Sequence, residues 1–232
     1  MWWQSYPGLE VALLPWGDNV YYVLFRDGEA LVVDPPVAEA VQQLLRERGA
    51  RLTGILVTHH DPDHVGGVPE LARAGIRVEA PTGEDREFAW RGLAIRALDT
   101  PGHRRVHTAY HFPEPAPGLL FAGDSLFAGG CGRLNGLPAE LMFASLRKLA
   151  ALPPETHLYC GHDYLEPNLA FALSVEPGNV ALVRRLAEVR ARHREGAAVL
   201  PSTLALEIET NPFLRARDAT EFAARRRAKD CC

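Results

Sequence analysis

The chain has 232 residues, 47% of them hydrophobic and 23% charged, with a formal net charge of −4; this composition supports a sizeable core and excludes a disordered chain. No apolar run approaches the roughly 18 residues of a membrane span, and negative charge without a dense basic stripe argues against nucleic acid. The four cysteines, Cys131, Cys160, Cys231 and Cys232, make no CxxC pair and no disulfide framework; no secretory signal is read in MWWQSYPGLEV, so a reducing cytoplasm is expected.

Short strands and helices alternate through the first part. "NVYYVLF" (19–25) and "EALVVD" (29–34) read as strands joined by a tight Asp27-Gly28 turn. "VAEAVQQLLRERG" (37–49) has helical periodicity and stops at a glycine. "GILVTHH" (54–60) reads as a buried strand, "PELARAG" (69–75) as a helix and "IRVEAP" (76–81) as a strand. "LAIRALDTPGH" (93–103) is a strand running into a Pro-Gly loop, and 107–112 and 118–124 are strands. A helix is expected over 139–152 and a strand ending in a loop over 156–163. From about Glu166 the strand signal stops; 179–195, 202–211 and 218–230 read as helices, with Ser202 and Asp218 as N-caps. The expected division is therefore 1–168 and a helical segment, 169–232. That segment is more basic than the rest: 171–232 holds 11 Arg and Lys against 8 Asp and Glu. It could meet something anionic, although Arg184 to Arg194 read first as the solvated face of a helix.

Four strand ends carry polar residues, at 61–64, His103, Asp124 and His162, and loops at strand ends are where a rigid scaffold displays functional groups. The densest is "VTHHDPDHVGG" (57–67), with three histidines and two aspartates within 59–64. His59 and Asp61 are two apart and share a face on extended chain; Asp63 and His64 follow at a turn and can point elsewhere. Gly66 and Gly67 are expected to let the backbone pass close to a site. Imidazole nitrogen and carboxylate oxygen suit Zn²⁺, Fe²⁺ or Mn²⁺. His59, Asp61, Asp63, His64, His103, Asp124 and His162 are too many donors for one tetrahedral ion. They fit two ions sharing Asp124, an arrangement that activates water and polarises a carbonyl.

With these segments in view the sequence resembles glyoxalase II, the hydroxyacylglutathione hydrolases, within the metallo-β-lactamase superfamily. "GDNVYYVL", "LVVDP", "THHDPDHVGG" and "TPGH" carry the superfamily likeness; "GDSLFAGGCGR", "YCGHDY", "VEPGN", "PSTLALEIETNPFLR" and "RRRAKD" carry the narrower one. The resemblance implies an α/β (α+β) fold, an αββα sandwich with a C-terminal helical domain. It implies hydrolysis of S-lactoylglutathione, a small-molecule thioester, to lactate and glutathione. His59, Asp61, His103 and Asp124 would hold one metal, and Asp63, His64, Asp124 and His162 the other, with Zn²⁺ the first choice and Fe²⁺ or Mn²⁺ as alternatives. Asp63 would orient the attacking water. Arg133, Tyr164, Arg226 and Lys229 would grip glutathione, whose two carboxylates give the basic segment a use. No nucleic acid, no membrane, and a monomer or weak homo-oligomer are expected.

The chain departs from the family pattern at three places. THxHxDH is the usual motif, and Asp61 stands at its second histidine. The loop after TPGH ordinarily continues Thr-x-Gly-His, and here reads Arg104-Arg105-Val106-His107. Asn135 stands where a tyrosine is expected. A first site that is weaker, differently populated or less selective for zinc follows from Asp61. The alternatives are another hydrolase of this fold, a persulfide dioxygenase with a single Fe²⁺, and a non-catalytic member that binds metal or thiol. His60 is expected toward solvent or behind the ligands, and His107 in a structural hydrogen bond. Asp34 either orients the metal loop or ends a strand as a turn carboxylate. Cys131 and Cys160 read as buried small residues, Cys231 and Cys232 as an unstructured end.

Overall fold

The computed structural model describes residues 1–231. Two six-stranded sheets stack face to face. The first contains β1 (Trp2–Tyr6), β2 (Leu9–Trp16), β3 (Asn19–Arg26), β4 (Glu29–Val33), β5 (Arg51–Leu56) and β6 (Arg77–Glu79), in that spatial order. The second contains β7 (Arg86–Trp90), β8 (Leu93–Asp99), β9 (Thr108–Phe112), β10 (Leu119–Gly123), β13 (His157–Cys160) and β14 (Ser202–Thr203), in the order β14-β13-β10-β9-β8-β7. A small hairpin, β11 (Leu126–Phe127) and β12 (Gly130–Cys131), follows β10.

Alternation explains the stacking. Along β3, Val20, Tyr22 and Leu24 enter the core between the sheets, while Tyr21, Val23 and Phe25 face the opposite way, toward α1 (Glu39–Arg48). Both faces are buried, so the strand reads as a continuous apolar run. On the second sheet the outward residues Ala109, Leu120 and Leu158 pack with Met142 and Leu146 of α4 (Ala139–Ala150) and with Phe222 of α8 (Ala219–Asp230). The layers are thus helix, sheet, sheet, helix. Each fully buried leucine or valine contributes roughly 1.5–3 kcal/mol. Leu169 and Ala172 of α5 (Leu165–Val175), with Leu182, Leu186 and Val189 of α6 (Val180–Arg194), join the inter-sheet core.

Several expectations are corrected. The first two strands, β1 and β2, were not expected, although Leu9, Val11 and Leu13 alternate as a strand requires. The helix expected over 69–75 is α3 (Val68–Leu71) followed by a 3₁₀ turn. Helix α7 (Leu204–Thr210) is capped by Thr203, whose Oγ1 accepts from Leu206 N, and not by Ser202. Ser202 instead pairs with Leu158 at the edge of the second sheet. Asp218 does cap α8, accepting from Glu221 N at 2.8 Å. Cys231 ends α8 with its amide bonded to Ala228 O; the expectation for Cys232 lies outside the described residues.

Candidate metal centre

After β5 the chain bends at Thr58, is extended at Asp61 (φ −69°, ψ 143°), then turns into α2 (Pro62–Val65). Pro62 occupies the first helical position, where its missing N–H costs nothing. This break in backbone geometry divides the motif: His59 and Asp61 precede α2, Asp63 and His64 lie on its helical turn. Asp61 is the N-cap residue yet makes no side-chain cap, so its carboxylate is available elsewhere. Gly66 and Gly67 serve a different purpose from the one expected. A Cβ on Gly66 would sit 2.4 Å from Pro36 O, and one on Gly67 2.6 Å from Val37 C; they seat this turn on the loop after β4. The glycines that crowd the donors are Gly132 and Gly161. A Cβ would lie 3.0 Å from His103 Nδ1 at the first, and 2.5 Å from Asp124 Oδ1 and 2.7 Å from His64 Cε1 at the second.

The imidazoles are aimed from behind. Asp34, 4% exposed at the end of β4, accepts from Thr58 N at 2.7 Å and Thr58 Oγ1 at 2.6 Å, and lies 3.1 Å from His64 Nδ1. Thr58 Oγ1 is in turn 3.0 Å from His59 Nδ1. Asp34 therefore orients the metal loop, the first of the two readings open to it. His103 Nδ1 meets Arg133 O at 3.0 Å. Each contact uses Nδ1 and leaves Nε2 toward the centre. Asn19 Nδ2 donates to Asp63 Oδ2 at 3.1 Å. His107 is fully buried, with Nδ1 on Thr100 Oγ1 and Ser125 Oγ, the structural role expected.

Burial holds His59 well below the ordinary histidine range and His107 down to about 3, so both are neutral. Burial also opposes charge on His64, but the bond and charge of Asp34 outweigh it and raise the group to about 9. Asp124 is 7% exposed, and burial alone would raise it; its contact with His162 and the charge of His64 hold it lower still, as a carboxylate.

His59 Nε2, His64 Nε2 and Asp124 Oδ1 are buried without a hydrogen-bond partner, which is costly unless something else fills the role. The donor atoms nevertheless converge. His64 Nε2 is 3.4 Å from Asp124 Oδ1, and His162 Nε2 3.4 Å from Asp124 Oδ2. His103 Nε2 is 3.7 Å from Asp124 Oδ2 and 3.4 Å from Asp61 Oδ2. His59 Nε2 is 3.6 Å from Asp61 Oδ2, and Asp63 Oδ2 lies 3.8 Å from His64 Nε2 and 3.6 Å from His162 Nε2. A tetrahedron with arms of about 2.0–2.1 Å has edges of about 3.3–3.4 Å. The seven residues read from the sequence thus lie together, three of their donor atoms without a hydrogen-bond partner, at separations that suit divalent metal. His59, His103 and Asp124 form one compact donor triad, and Asp63, His64 and His162 another.

A cleft of about 780 Å³ opens beside these donors, with Asp63, His103, Asp124 and His162 at its floor and Arg133, Tyr164, Arg226 and Lys229 along its sides. Arg133 is exposed. Tyr164 stacks on His162 at 4.8 Å and donates to Asp18 Oδ2 at 2.6 Å. Arg226 is buried, donating to Cys131 O and Asp230 Oδ1, both at 2.9 Å, and Lys229 Nζ donates to Pro167 O. Asn135 Nδ2 donates to His103 O at 3.1 Å. Sequence reasoning missed Asn19 and left open what Arg104 does. Arg104 forks Asp61, with Nε on Oδ1 at 2.7 Å and Nη2 on Oδ2 at 2.6 Å. The signal was the arginine itself, beside a motif histidine.

Cys131 and Cys160 are buried; burial lifts Cys131 to about 11 and Cys160 higher still. A thiol reagent at pH 8 is expected to label Cys231 in the folded protein and neither of these until denaturant is added. Peptide mapping checks this; labelling of Cys160 at the rate of Cys231 would contradict it.

Fold and donors together define a class. Residues 14–76 and 75–162 match the family model described as Metallo-beta-lactamase superfamily. The fold is shared with ETHE1 from Myxococcus xanthus, at a TM-score of 0.68 and 22% identity over 94% of this chain and 89% of that one. It is shared also with TTHA1623 in a di-iron-bound form, at a TM-score of 0.61 and 26% identity over 88% and 98%. The chain is a member of that superfamily. Residues 163–231 match the model described as Hydroxyacylglutathione hydrolase C-terminus. The Hydroxyacylglutathione hydrolase of Methylobacillus flagellatus is 44% identical over 94% of this chain and 91% of its own length. The chain belongs to the hydroxyacylglutathione hydrolase family.

Proposed function

We propose that the chain hydrolyses S-lactoylglutathione and related 2-hydroxyacyl-glutathione thioesters to the hydroxy acid and glutathione. The observation that carries this reading is a cluster of converging imidazole and carboxylate donors, three of its atoms buried without a partner, of which Asp63, His103, Asp124 and His162 line a cleft that also bears Arg133, Arg226 and Lys229. His59, Asp61, His103 and Asp124 would hold one divalent ion, and Asp63, His64, Asp124 and His162 a second. Zn²⁺ is the first choice for this N/O donor set, with Fe²⁺ and Mn²⁺ as alternatives. When bound, the ions would polarise the thioester carbonyl and acidify water.

The chain's own residues do the rest. Asp63, steadied by Asn19, orients the attacking water and draws on its proton. The water oxygen bonds to the carbonyl carbon, the C–S bond breaks, and the sulfur leaves as thiolate, a good enough leaving group that no strong general acid is required. Arg133, Tyr164, Arg226 and Lys229 would hold the glutathione, and the segment 169–232 would supply two of the four, Arg226 and Lys229. A cytoplasmic setting is part of this reading, supported by the free thiols Cys131, Cys160 and Cys231.

S-lactoylglutathione hydrolysis measured on a sample of known metal content is the test. Thiol release that rises with bound metal is expected; a metal-loaded protein that leaves the thioester intact overturns the proposal and marks a binding protein. A second reading, a mononuclear-iron persulfide dioxygenase, is favoured by one observation: His59, His103 and Asp124 alone make a two-histidine, one-carboxylate set. Oxygen uptake on glutathione persulfide by an iron-loaded sample separates the two.

A further inference from the structure

Three carboxylates, Asp61, Asp63 and Asp124, belong to the donor cluster. Among the described residues, Asp63 and Asp124 pair with imidazoles, while Asp61 is also paired to a guanidinium. Arg104 engages both Asp61 oxygens, at 2.7 and 2.6 Å. Oδ2, the oxygen nearer Arg104, is also the one 3.4 Å from His103 Nε2 and 3.6 Å from His59 Nε2. A carboxylate oxygen has lone pairs for both directions. Oδ2 is therefore shared between Arg104 on one side and the convergence point of two imidazoles on the other.

Arg104 is well placed to hold it there. It follows His103 directly, so the loop that delivers one donor also delivers the cation that fixes another. The fork is planar and bidentate, which sets carboxylate orientation as well as charge. The pair is part-buried, with side-chain exposures of 41% for Arg104 and 23% for Asp61.

We infer that Asp61 and Arg104 act as one charge-balanced donor unit toward a divalent ion: Asp61 supplies an oxygen, and Arg104 aims that oxygen and cancels its charge. The inference rests on the ligand set proposed above. The unit then presents the centre with the charge of a neutral donor. Arg104 is a positioning residue and touches neither substrate nor reacting atoms.

A prediction with a counterintuitive sign follows. Imidazole is a better donor for Zn²⁺ than a lone carboxylate, yet Asp61→His leaves Arg104 as an unopposed cation beside the ion. Zn²⁺ binding to chelator-stripped protein, followed by competition with a chromophoric chelator, should show Asp61→His weakening the affected site about 10-fold or more, the size of effect seen when a group supporting a ligand is lost. Adding Arg104→Gln should bring affinity back to within about 3-fold of wild type, a strong non-additivity. Arg104→Lys, which keeps the charge, should not rescue Asp61→His. The pairing is overturned if Asp61→His changes Zn²⁺ affinity equally with Arg104 and with Gln at that position. Stoichiometry separates the two layers: a chain that binds no Zn²⁺ in any form overturns the ligand set itself, and the pairing with it. A merely structural salt bridge would shift thermal stability and leave Zn²⁺ affinity unmoved.

Discussion

Asp124→Ala is expected to lower kcat/KM on S-lactoylglutathione by about a thousand-fold or more, equivalent to about 4 kcal/mol of lost transition-state stabilisation, and to reduce bound metal. One oxygen of Asp124 faces His64, and the other faces His162 and His103. No other side chain in the cluster reaches donors from three separate loops. Removing it takes the shared anion from both proposed sites, so metal content and turnover should fall together. The rest of the fold should stay intact, because Asp124 lies past the end of β10 and its neighbours Phe121 and Ala122 keep their packing. Asp124→Asn is the companion variant: it preserves shape and removes charge, and it should lose metal as well. Elemental analysis and far-UV circular dichroism on the same samples check this. A folded Asp124→Ala protein with near-normal activity would defeat the binuclear assignment.

Glu207→Ala is expected to cost about 3–5 kcal/mol of stability, the size of effect seen when one partner of a buried ion pair is removed. Glu207 is 0% and Arg185 3% exposed. Arg185 of α6 donates to Glu207 and Thr210 of α7, and Ser202 donates to Glu207 from the other side. The second carboxylate oxygen accepts from Gly129 N at 2.7 Å and Asn211 Nδ2 at 3.2 Å. Gly129 lies in the β11–β12 hairpin, and this strand leads to Gly132 and Arg133 beside His103. One carboxylate thus ties the helical segment to the loop that borders the centre. Equilibrium unfolding in urea should show the loss, and KM should rise in the surviving folded protein as the hairpin loosens. A change below about 1 kcal/mol would mean that the pair is relaxed by solvent.

The donors are legible in the sequence because each follows an apolar strand and sits beside glycine or within the HxDxDH cluster. Local rules reach that far: strand, turn, polar residue. Asn19, Thr58 and Arg104 are harder to read, because their use depends on which loops meet. Arg104 and Asp61 are 43 residues apart in the chain, and only the stacking of the sheets makes them neighbours. The same limit misplaced Ser202. As an N-cap it obeys the local preference, but pairing with β13 and the buried Arg185–Glu207 pair claim it instead. The strand β2 is a different case, since the alternation of Leu9, Val11 and Leu13 is itself a local signal of a strand.

The donors are divided between the two sheets. His59 to His64 follow β5 of the first, whereas His103, Asp124 and His162 follow β8, β10 and β13 of the second. Neither half can form the nest alone, so it exists only where the two sheets are docked. A cation that binds there recognises the finished arrangement and not the unfolded one. If the docked nest is absent from the folding transition state, such a cation would slow escape from the native state and leave the rate of reaching it unchanged. If the proposed ions bind, ion supply would set how long a folded molecule lasts, whereas the polypeptide would set how quickly it folds.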